Sequence, residues 1–149
     1  MSGKRGVRYW LMKTEPDEFS IDDLARDGRT WWEGVRNYQA RNFMRDEMTP
    51  GDLALIHHSS ARPPGVAGVG RISRPARPDG DGGWVAVEVE FVEKFPTFLS
   101  MDALREAGGL DGLMLLRRGA RLSIQPVSAE HFARIRSLGR RAAPREPAT

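Results

Sequence analysis

Regular alternation of apolar and polar residues in the middle of the chain marks its clearest secondary-structure element. In residues 84–92 every second position is apolar: Val85, Val87, Val89 and Phe91. Because successive side chains of a strand point to opposite faces, this pattern predicts a half-buried β-strand. Glu88 and Glu90 lie between the apolar positions, and we expect them on the solvent-facing side.

Shorter apolar runs predict further strands on both sides of this element. They span residues 8–13, 53–57, 66–73 and 121–127, and Trp31 and Trp32 add a brief extended piece. Pro16 favours an end to the first strand just before it, since the residue preceding a proline avoids helical geometry. The chain is therefore expected to form five or six strands.

Helix signals fall between these strands and after the last one. Each predicted helix follows a residue suited to N-capping: Ser20, Asn37, Ser100 and Ser128. The helices are expected to extend to about residues 27, 47, 107 and 138. Gly28 and Gly139 are expected to end the first and the last helix, because glycine is common just beyond helix ends.

Strands and short helices together predict an α+β fold. The connections between strands are too short for a succession of parallel strand–helix–strand units. A small, partly open β-barrel with peripheral helices fits this pattern best. We expect one domain over residues 8–139, with a flexible segment at 1–7 and a disordered tail, rich in Pro, Ala and Arg, at 140–149.

The composition excludes several classes of chemistry. The 149 residues include no cysteine, which rules out disulfides, thiolate catalysis and cysteine-ligated zinc or iron–sulfur sites. No apolar run approaches the length of a membrane span, and the N-terminal residues lack the pattern of a signal peptide. A cytoplasmic location is therefore expected.

Charge is distributed unevenly along the chain. Residues 117–149 hold eight arginines against two glutamates, a net charge of +6, whereas the other 15 basic and 18 acidic groups give −3. A basic end on a mildly acidic body is typical of a protein that binds a polyanion. An arginine-rich, solvated surface that reflects a GC-rich genome explains the same numbers equally well.

Residues 31–42 form the most informative segment for function. They contain three aromatic residues, two arginines, three side-chain amides and one glycine. Aromatic faces stack on flat ligands, amides read hydrogen-bonding edges and guanidinium groups bind phosphates, so this mixture favours a reader of nucleobases over a catalyst. Trp31 and Trp32 are adjacent on an extended piece, so only one of them is expected to face the core.

Histidine and serine positions give little support for metal binding or nucleophilic catalysis. His57 and His58 are adjacent and diverge on a strand, so we expect no metal and no cofactor. Ser59 follows a histidine, but no nucleophile-elbow motif is present. Lys13 precedes Glu15 by two residues, which leaves two interpretations open: a buried ion pair, or a lysine that holds an anionic ligand.

Six motifs in the chain resemble those of the EVE domain family. They occur in the family's order at residues 9–16 (YWLMKTEP), 31–42, 51–52, 58–59, 65–68 and 122–127, and together they cover residues 8–138. The stand-alone bacterial members are the most similar. The resemblance implies a PUA-like β-pseudo-barrel, related to YTH and ASCH domains, that binds modified bases in DNA or RNA, with modified cytosines proposed for some members.

The resemblance also implies which residues surround a bound base. A flipped base would enter a pocket at the mouth of the barrel, where aromatic side chains clamp it and small polar groups read its edge. Carried over by motif, the base-pocket residues are Lys13, Thr14, Trp31, Trp32, Asn37, Tyr38, His58, Ser59 and Ser123. The arginines assigned to phosphates are Arg36, Arg41, Arg117, Arg118 and Arg121.

Two positions depart from the family's pattern. Thr14 stands where serine is usual, and Ser60 stands where asparagine commonly follows the His-Ser pair. The first adds a methyl group near the pocket and the second removes an amide. The identity of the bound base is therefore not transferred from the family.

We accordingly predict a non-enzymatic nucleic-acid-binding module that accommodates a modified base, above all a modified cytosine, in an aromatic-lined pocket. Its expected partner is DNA or RNA carrying that base, with no membrane and no metal involved. Two alternatives stay open. One is a small enzyme acting on a nucleotide or small molecule, with Lys13, Glu15 and His58 as catalytic candidates. The other is a partner-binding adaptor that uses the basic C-terminal helix.

Overall fold

The computed structural model of the chain describes residues 6–141, and in that range it contains six strands and four α-helices. The strands are β1 (Tyr9–Thr14), β2 (Arg29–Trp31), β3 (Leu53–His58), β4 (Gly65–Pro78), β5 (Val85–Ser100) and β6 (Ile124–Val127). The helices are α1 (Ile21–Asp27), α2 (Tyr38–Asn42), α3 (Met101–Ala107) and α4 (Ala129–Arg140). A π-helical turn (Phe43–Glu47) follows α2, and a 3₁₀ turn (Met114–Leu116) precedes β6. The predicted α+β class is confirmed.

Each of the four predicted N-cap residues begins a helix. The side chains of Ser20, Asn37, Ser100 and Ser128 all accept a hydrogen bond from the backbone N–H three residues further on. At Ser20 the arrangement is reciprocal, because the carboxylate of Asp23 accepts from the Ser20 N–H at 2.9 Å. These helix starts depend on residues close in sequence, which is why the sequence predicts them.

All six strands belong to one sheet, in the order β2-β5-β4-β3-β1-β6. β1 runs parallel to β3, and the other neighbouring pairs are antiparallel. β4 and β5, of 14 and 16 residues, pair along their length with several register shifts, one of them between Val66 and Gly68. Such irregularities bend the strands and increase their twist, which a sheet needs in order to curve toward a barrel.

The two faces of β1 pack into separate hydrophobic clusters. Trp10 and Met12 belong to the cluster that also includes residues of α1 and α2. Leu11 belongs to the other cluster, which α4 covers. These three side chains have no exposed surface, and exposure returns at Lys13 and Thr14, where β1 ends. The buried strand therefore delivers two polar side chains to the surface at its C-terminal end.

The prediction that Glu88 faces solvent is wrong. Glu88 is only 5% exposed, and its carboxylate accepts a hydrogen bond from the Ser73 hydroxyl at 2.9 Å. Arg29 and Arg74 lie 3.8 and 3.5 Å from the same oxygen. β5 lies between β2 and β4, so side chains from both neighbours cover the face that alternation assigns to water. The buried carboxylate is stabilised by the hydroxyl and the two guanidinium groups.

The prediction that Gly139 ends the last helix is also wrong, since α4 continues through Arg140. Gly139 is buried against the ring of Phe95, and no space remains there for a Cβ atom. Its role is close packing of the helix on β5. Arg140, expected in a disordered tail, is helical and donates from Nε to Glu93 at 3.0 Å.

Several expectations concern residues outside the described range. Residues 1–5 and 142–149 lie outside it, so the flexible N-terminus and most of the disordered tail stay predictions. Between residues 6 and 141 no helix has the length and apolar character needed to cross a membrane.

Candidate nucleic-acid interface

A cleft of about 400 Å³ opens where β1 ends. Residues from three parts of the chain line it: the end of β1 and the turn after it, β2 with the segment that follows, and Ser123 just before β6. Ligand-binding pockets for small molecules span roughly 300–1,000 Å³. The cleft is therefore large enough for one small, flat ligand.

Both tryptophans of the 31–42 segment line this cleft, but in different ways. Trp32 is 7% exposed and belongs to the core cluster, where its ring meets the Phe19 ring edge to face at 6.4 Å. Trp31 is half-buried, and the guanidinium of Arg77 lies 3.6 Å from its ring centroid. As expected for adjacent residues, only one of the two belongs to the core. The Arg77 guanidinium therefore makes a cation–π contact with the Trp31 ring.

The outer wall of the cleft, at residues 34–36, is held by a carboxylate far away in sequence. Asp79 Oδ2 accepts from the Gly34 N–H at 2.9 Å and from Arg36 Nη1 at 3.0 Å. The Gly34 N–H first, and then Arg36, hold the pKa of the Asp79 carboxyl below its usual range. Gly34 has φ +87°, a conformation that favours glycine, so the turn itself depends on this residue.

Lys13 and Thr14 provide polar atoms at the inner end. Lys13 Nζ donates to the Ala120 carbonyl at 3.3 Å, and burial lowers the pKa of its amino group. Thr14 donates its hydroxyl to the Phe19 carbonyl at 2.8 Å, which leaves its oxygen lone pairs as acceptors. No ion pair joins Lys13 to Glu15 within the described part of the chain, so the ion-pair interpretation is not supported.

A second hollow of about 260 Å³ adjoins the first. The two share Lys13, Thr14, Glu15 and Ser123, and the second adds Ser59 and Arg121. Ser59 Oγ lies 3.1 Å from Nδ1 of His57, whose side chain is buried beneath it. Burial first, and then the charges of Lys13 and His58, lower the pKa of His57 to about 4. The imidazole is therefore neutral at physiological pH.

Three of the predicted base-pocket residues lie outside the lining of both hollows. Asn37 caps α2, with its Oδ1 accepting from the Ala40 N–H at 3.0 Å. Tyr38 is exposed and stacks on Trp84. His58 Nε2 accepts from the Ile21 N–H at 3.0 Å, and burial lowers the pKa of its imidazole. The other six, Lys13, Thr14, Trp31, Trp32, Ser59 and Ser123, line one or both hollows.

The five arginines assigned to phosphates are spread over the surface. Arg36 lines the cleft, and Arg121 lines the adjoining hollow. Arg41 lies over the Tyr38 and Trp84 rings instead. Arg117 borders a different hollow beside α3, and Arg118 is exposed near it in sequence. The structure thus brings one of the five to the cleft and a second to the adjoining hollow.

Sequence reasoning missed several residues that shape the site. They are Glu18, Phe19, Glu33, Val35, Arg77 and Asp79. Asp79 belongs to a Gly- and Asp-rich stretch that predicts a turn, but no local signal shows that its carboxylate holds Gly34, 45 residues away. Within residues 6–141 no group of three or more His, Asp or Glu side chains is placed to hold a metal ion.

Comparison with known proteins identifies the family to which these features belong. The sequence model of the EVE domain family matches residues 8–138, which is nearly all of the described range. The chain belongs to the EVE domain family. The similarity carried by its short motifs is thereby confirmed, and its PUA-like fold is the fold of that family.

Relatives of this EVE domain occur in animals and bacteria. Rat thymocyte nuclear protein 1 is 36% identical over 91% of this chain and 75% of the relative. The protein PSPTO5229 from Pseudomonas syringae superposes with a TM-score of 0.83 and 43% identity, over 88% of this chain and 99% of its own. Human THYN1, solved in complex with DNA containing 5-methylcytosine, superposes with a TM-score of 0.82 and 34% identity, over 91% of this chain and 99% of its own.

The fold extends beyond this family. The YTH domain of the Zygosaccharomyces rouxii MRB1 protein superposes with a TM-score of 0.63 at 16% identity, over 96% of this chain and 93% of its own. At this level of identity the likeness concerns the fold alone.

Proposed function

We propose that this EVE domain is a non-enzymatic reader of a modified base in DNA or RNA. The base leaves its stack and enters the cleft between Trp31, Trp32 and Lys13. The observation that carries the proposal is an aromatic cleft of nucleobase size in a chain similar to human THYN1, which was solved with DNA containing 5-methylcytosine. A modified cytosine is the favoured ligand.

The free-energy cost of extruding the base and the gain from stacking it are of similar size. Extruding a base costs a few kcal/mol, and stacking on an aromatic ring returns roughly 1–3 kcal/mol. Trp31 supplies the stacking face, since Arg77 covers part of its ring and supports it from one side. A methyl group on the base fills the apolar corner formed by Phe19, Trp32 and Val35, which adds about 1 kcal/mol.

Polar groups around the cleft match the edge of an amino-bearing base. Lys13 and Ser123 donate hydrogen bonds to ring nitrogen or carbonyl acceptors. The carboxylates of Glu18 and Glu33, which also line the cleft, accept from an exocyclic amine such as that of cytosine. Arg121, in the adjoining hollow, takes the neighbouring phosphate.

The geometry offers little to a catalyst. A Ser59–His57 pair exists, but an imidazole with a pKa of about 4 is a weak general base at neutral pH. Nε2 of His57 is buried without a hydrogen-bond partner among the described residues, so no carboxylate orients the ring. Nε2 of His58 accepts a hydrogen bond from the Ile21 N–H at the start of α1. These features favour binding over the enzymatic alternative.

Fluorescence-anisotropy titration tests the proposal. Matched DNA and RNA oligonucleotides carry one cytosine, 5-methylcytosine, 5-hydroxymethylcytosine or N6-methyladenine, at low and at physiological salt. We expect a preference for one modified base that persists as salt is raised, because pocket contacts depend less on salt than phosphate contacts do. Equal and salt-sensitive binding of every oligonucleotide would contradict the proposal.

A pair of variants at one position sharpens this test. Trp31→Ala removes the stacking face and should weaken binding of the preferred oligonucleotide by about tenfold or more. Trp31→Phe keeps an aromatic face and should retain most of the affinity. Thermal unfolding shows whether both variants are folded. If a folded Trp31→Ala variant binds as the parent does, the cleft is not the base site.

A further inference from the structure

A stacked aromatic pair, an exposed tyrosine on a half-buried tryptophan, lies beside the cleft and is not part of its lining. Tyr38 is 65% exposed, yet its ring stacks on the Trp84 ring with 4.9 Å between centroids and 26° between planes. Large aromatic side chains usually gain stability through burial. The exposed face of the Tyr38 ring offers a stacking surface to another flat group.

Rigid backbone positions both rings. Trp84 follows the turn between β4 and β5, and its carbonyl accepts from the Asp79 N–H at 2.8 Å. The turn contains Gly82 and Gly83 at φ +92° and +80°, a region that other residues rarely adopt. Tyr38 is the first residue of α2, directly after its N-cap. The chain's own hydrogen bonds and glycine turns therefore set the backbone at both rings.

Two guanidinium groups surround the pair. Arg41 lies 5.1 Å from the Tyr38 ring centroid and 5.8 Å from that of Trp84. The guanidinium of Arg36 lies 5.5 Å from the Trp84 ring centroid, and Arg36 also lines the cleft. Arg36 thus connects the Tyr38–Trp84 pair with the cleft. The combination of open aromatic face and positive charge matches single-stranded nucleic acid.

We propose that Tyr38 and Trp84 form a second stacking platform, which holds an unpaired nucleobase that neighbours the base in the cleft. Arg41 contacts the phosphate beside that nucleobase. The inference rests on the proposed function in one respect only, that the strand also places a modified base in the cleft. Stacking on the platform is independent of base identity, because every base has a π-face. The platform therefore adds affinity, and the cleft alone supplies discrimination.

DNA with and without a neighbouring base tests the platform. Fluorescein-labelled mononucleotides and nine-nucleotide single strands, with cytosine or 5-methylcytosine as the single or the central base, are titrated with the parent protein, Tyr38→Ala and Tyr38→Phe. We expect Tyr38→Ala to weaken binding of the nine-nucleotide strand about tenfold, to leave binding of the mononucleotide unchanged, and to leave the ratio between modified and unmodified strands unchanged. Tyr38→Phe keeps the ring and should bind as the parent does. Tyr38 is exposed, so the Tm should not change.

Salt dependence separates the roles of the ring and the charge. Replacing Arg41 by Gln should reduce the slope of log K against log salt by about 0.7, the value for one phosphate contact with a single strand. Tyr38→Ala should leave this slope unchanged. Arg105→Gln, which removes one positive charge from α3, is the matched control and should change neither slope nor affinity.

Each result supports or overturns the platform, and its failure differs from failure of the base-reader proposal. If Tyr38→Ala binds the nine-nucleotide strand as the parent does, there is no platform. If Tyr38→Ala also abolishes the preference for 5-methylcytosine, the ring belongs to the base site and a separate platform is excluded. If the parent shows no preference for any modified base but Tyr38→Ala still weakens binding of the nine-nucleotide strand, the platform stands and the base-reader proposal fails.

Discussion

The arginines of α4 and the arginines near the cleft carry the same charge but make different contacts. Arg136 and Arg140 both donate to the carboxylate of Glu93 on β5. Arg134 donates to the carbonyls of Ala107 and Gly108 at the end of α3. The N–H groups of these three arginines are thus directed at oxygen atoms of the protein itself. The contacts hold α4 against β5 and against the end of α3.

Near the cleft, guanidinium groups lie on aromatic faces. Arg77 covers the Trp31 ring and makes no hydrogen bond or ion pair with another residue of the described range. Arg41 lies over Tyr38 and Trp84 and also donates to Asn42 Oδ1 and to the Gly83 carbonyl. The remaining N–H groups of such a stacked guanidinium stay at its edge for a phosphate.

This difference shows that net charge along a sequence does not tell which positive groups are already paired within the fold. The basic excess lies at residues 117–149, yet Arg134, Arg136 and Arg140 are already paired within the fold. The sequence left two explanations for this excess: a polyanion-binding surface and a solvated, arginine-rich surface. Neither accounts for these three arginines, because their role is structural. The adaptor alternative, which needs a free basic helix, loses support for the same reason.

The largest expected effect concerns a buried side chain near the cleft that stays uncharged at neutral pH. His57 is buried, and burial first, then the charge of Lys13 and any charge on His58, oppose its protonation, so its pKa is about 4 in the folded protein against 6.5 for the ordinary value. The unfolded chain therefore binds a proton more readily. The stability contributed by the neutral imidazole is complete above pH 6.5 and decreases as pH falls toward 4, by about 2–3 kcal/mol.

Denaturant unfolding of the parent and of His57→Gln at pH 7 and pH 4.5 measures this effect. Gln does not titrate and is able to keep a hydrogen bond to Ser59, so the difference between the two proteins isolates the imidazole. If both lose the same free energy of unfolding on acidification, His57 is not the group responsible.

The next effect tests the α4 side. Glu93→Gln removes the carboxylate that receives Arg136 and Arg140, and we expect the free energy of unfolding to fall by about 1–2 kcal/mol. Nucleic-acid affinity should not decrease. Asp102→Asn is the control, since its exposed pair with Arg105 at 3.7 Å should contribute less than about 0.5 kcal/mol. A loss of binding in Glu93→Gln would place α4 at the interface.

A smaller effect is expected at the cleft wall. Asp79→Asn weakens the hydrogen bonds to the Gly34 N–H and to Arg36, so the wall becomes less ordered. We expect affinity for a modified oligonucleotide to fall about fivefold, equivalent to roughly 1 kcal/mol. Asp81→Asn removes a charge from the same loop, where Asp81 makes no hydrogen bond or ion pair with the described residues, and should change affinity little. Equal effects of both variants would mean that only the charge of the loop matters.

The smallest effect concerns the support of Trp31. Arg77→Ala removes the cation from its ring, a contact worth about 0.5–1 kcal/mol at an exposed site. Affinity should fall about threefold, with no change in the preference among modified bases. Arg136→Ala, on the α4 side, should leave affinity unaltered while lowering Tm. A reversed outcome, in which Arg77→Ala lowers Tm and Arg136→Ala lowers affinity, would remove the distinction between the two sets.

Much of the candidate site follows from short motifs. Lys13 and Thr14 lie at the end of a predictable buried strand, and Trp31 and Trp32 belong to a segment whose composition alone suggests base recognition. Tyr38 belongs to the same segment but lies outside the cleft, because the helix that begins at Asn37 carries its ring toward the β4–β5 turn. Proximity in sequence is therefore not proximity in the site.

The sequence by itself determined what depends on neighbouring residues: the N-caps, the location of the strands and the motifs of the EVE domain. Only the tertiary structure decided which tryptophan joins the core, that Glu88 is buried, and that Asp79 holds the Gly34 turn. The physical reason is range. Capping and alternation act within one turn or one strand, whereas these contacts join side chains brought together by strand pairing across tens of residues.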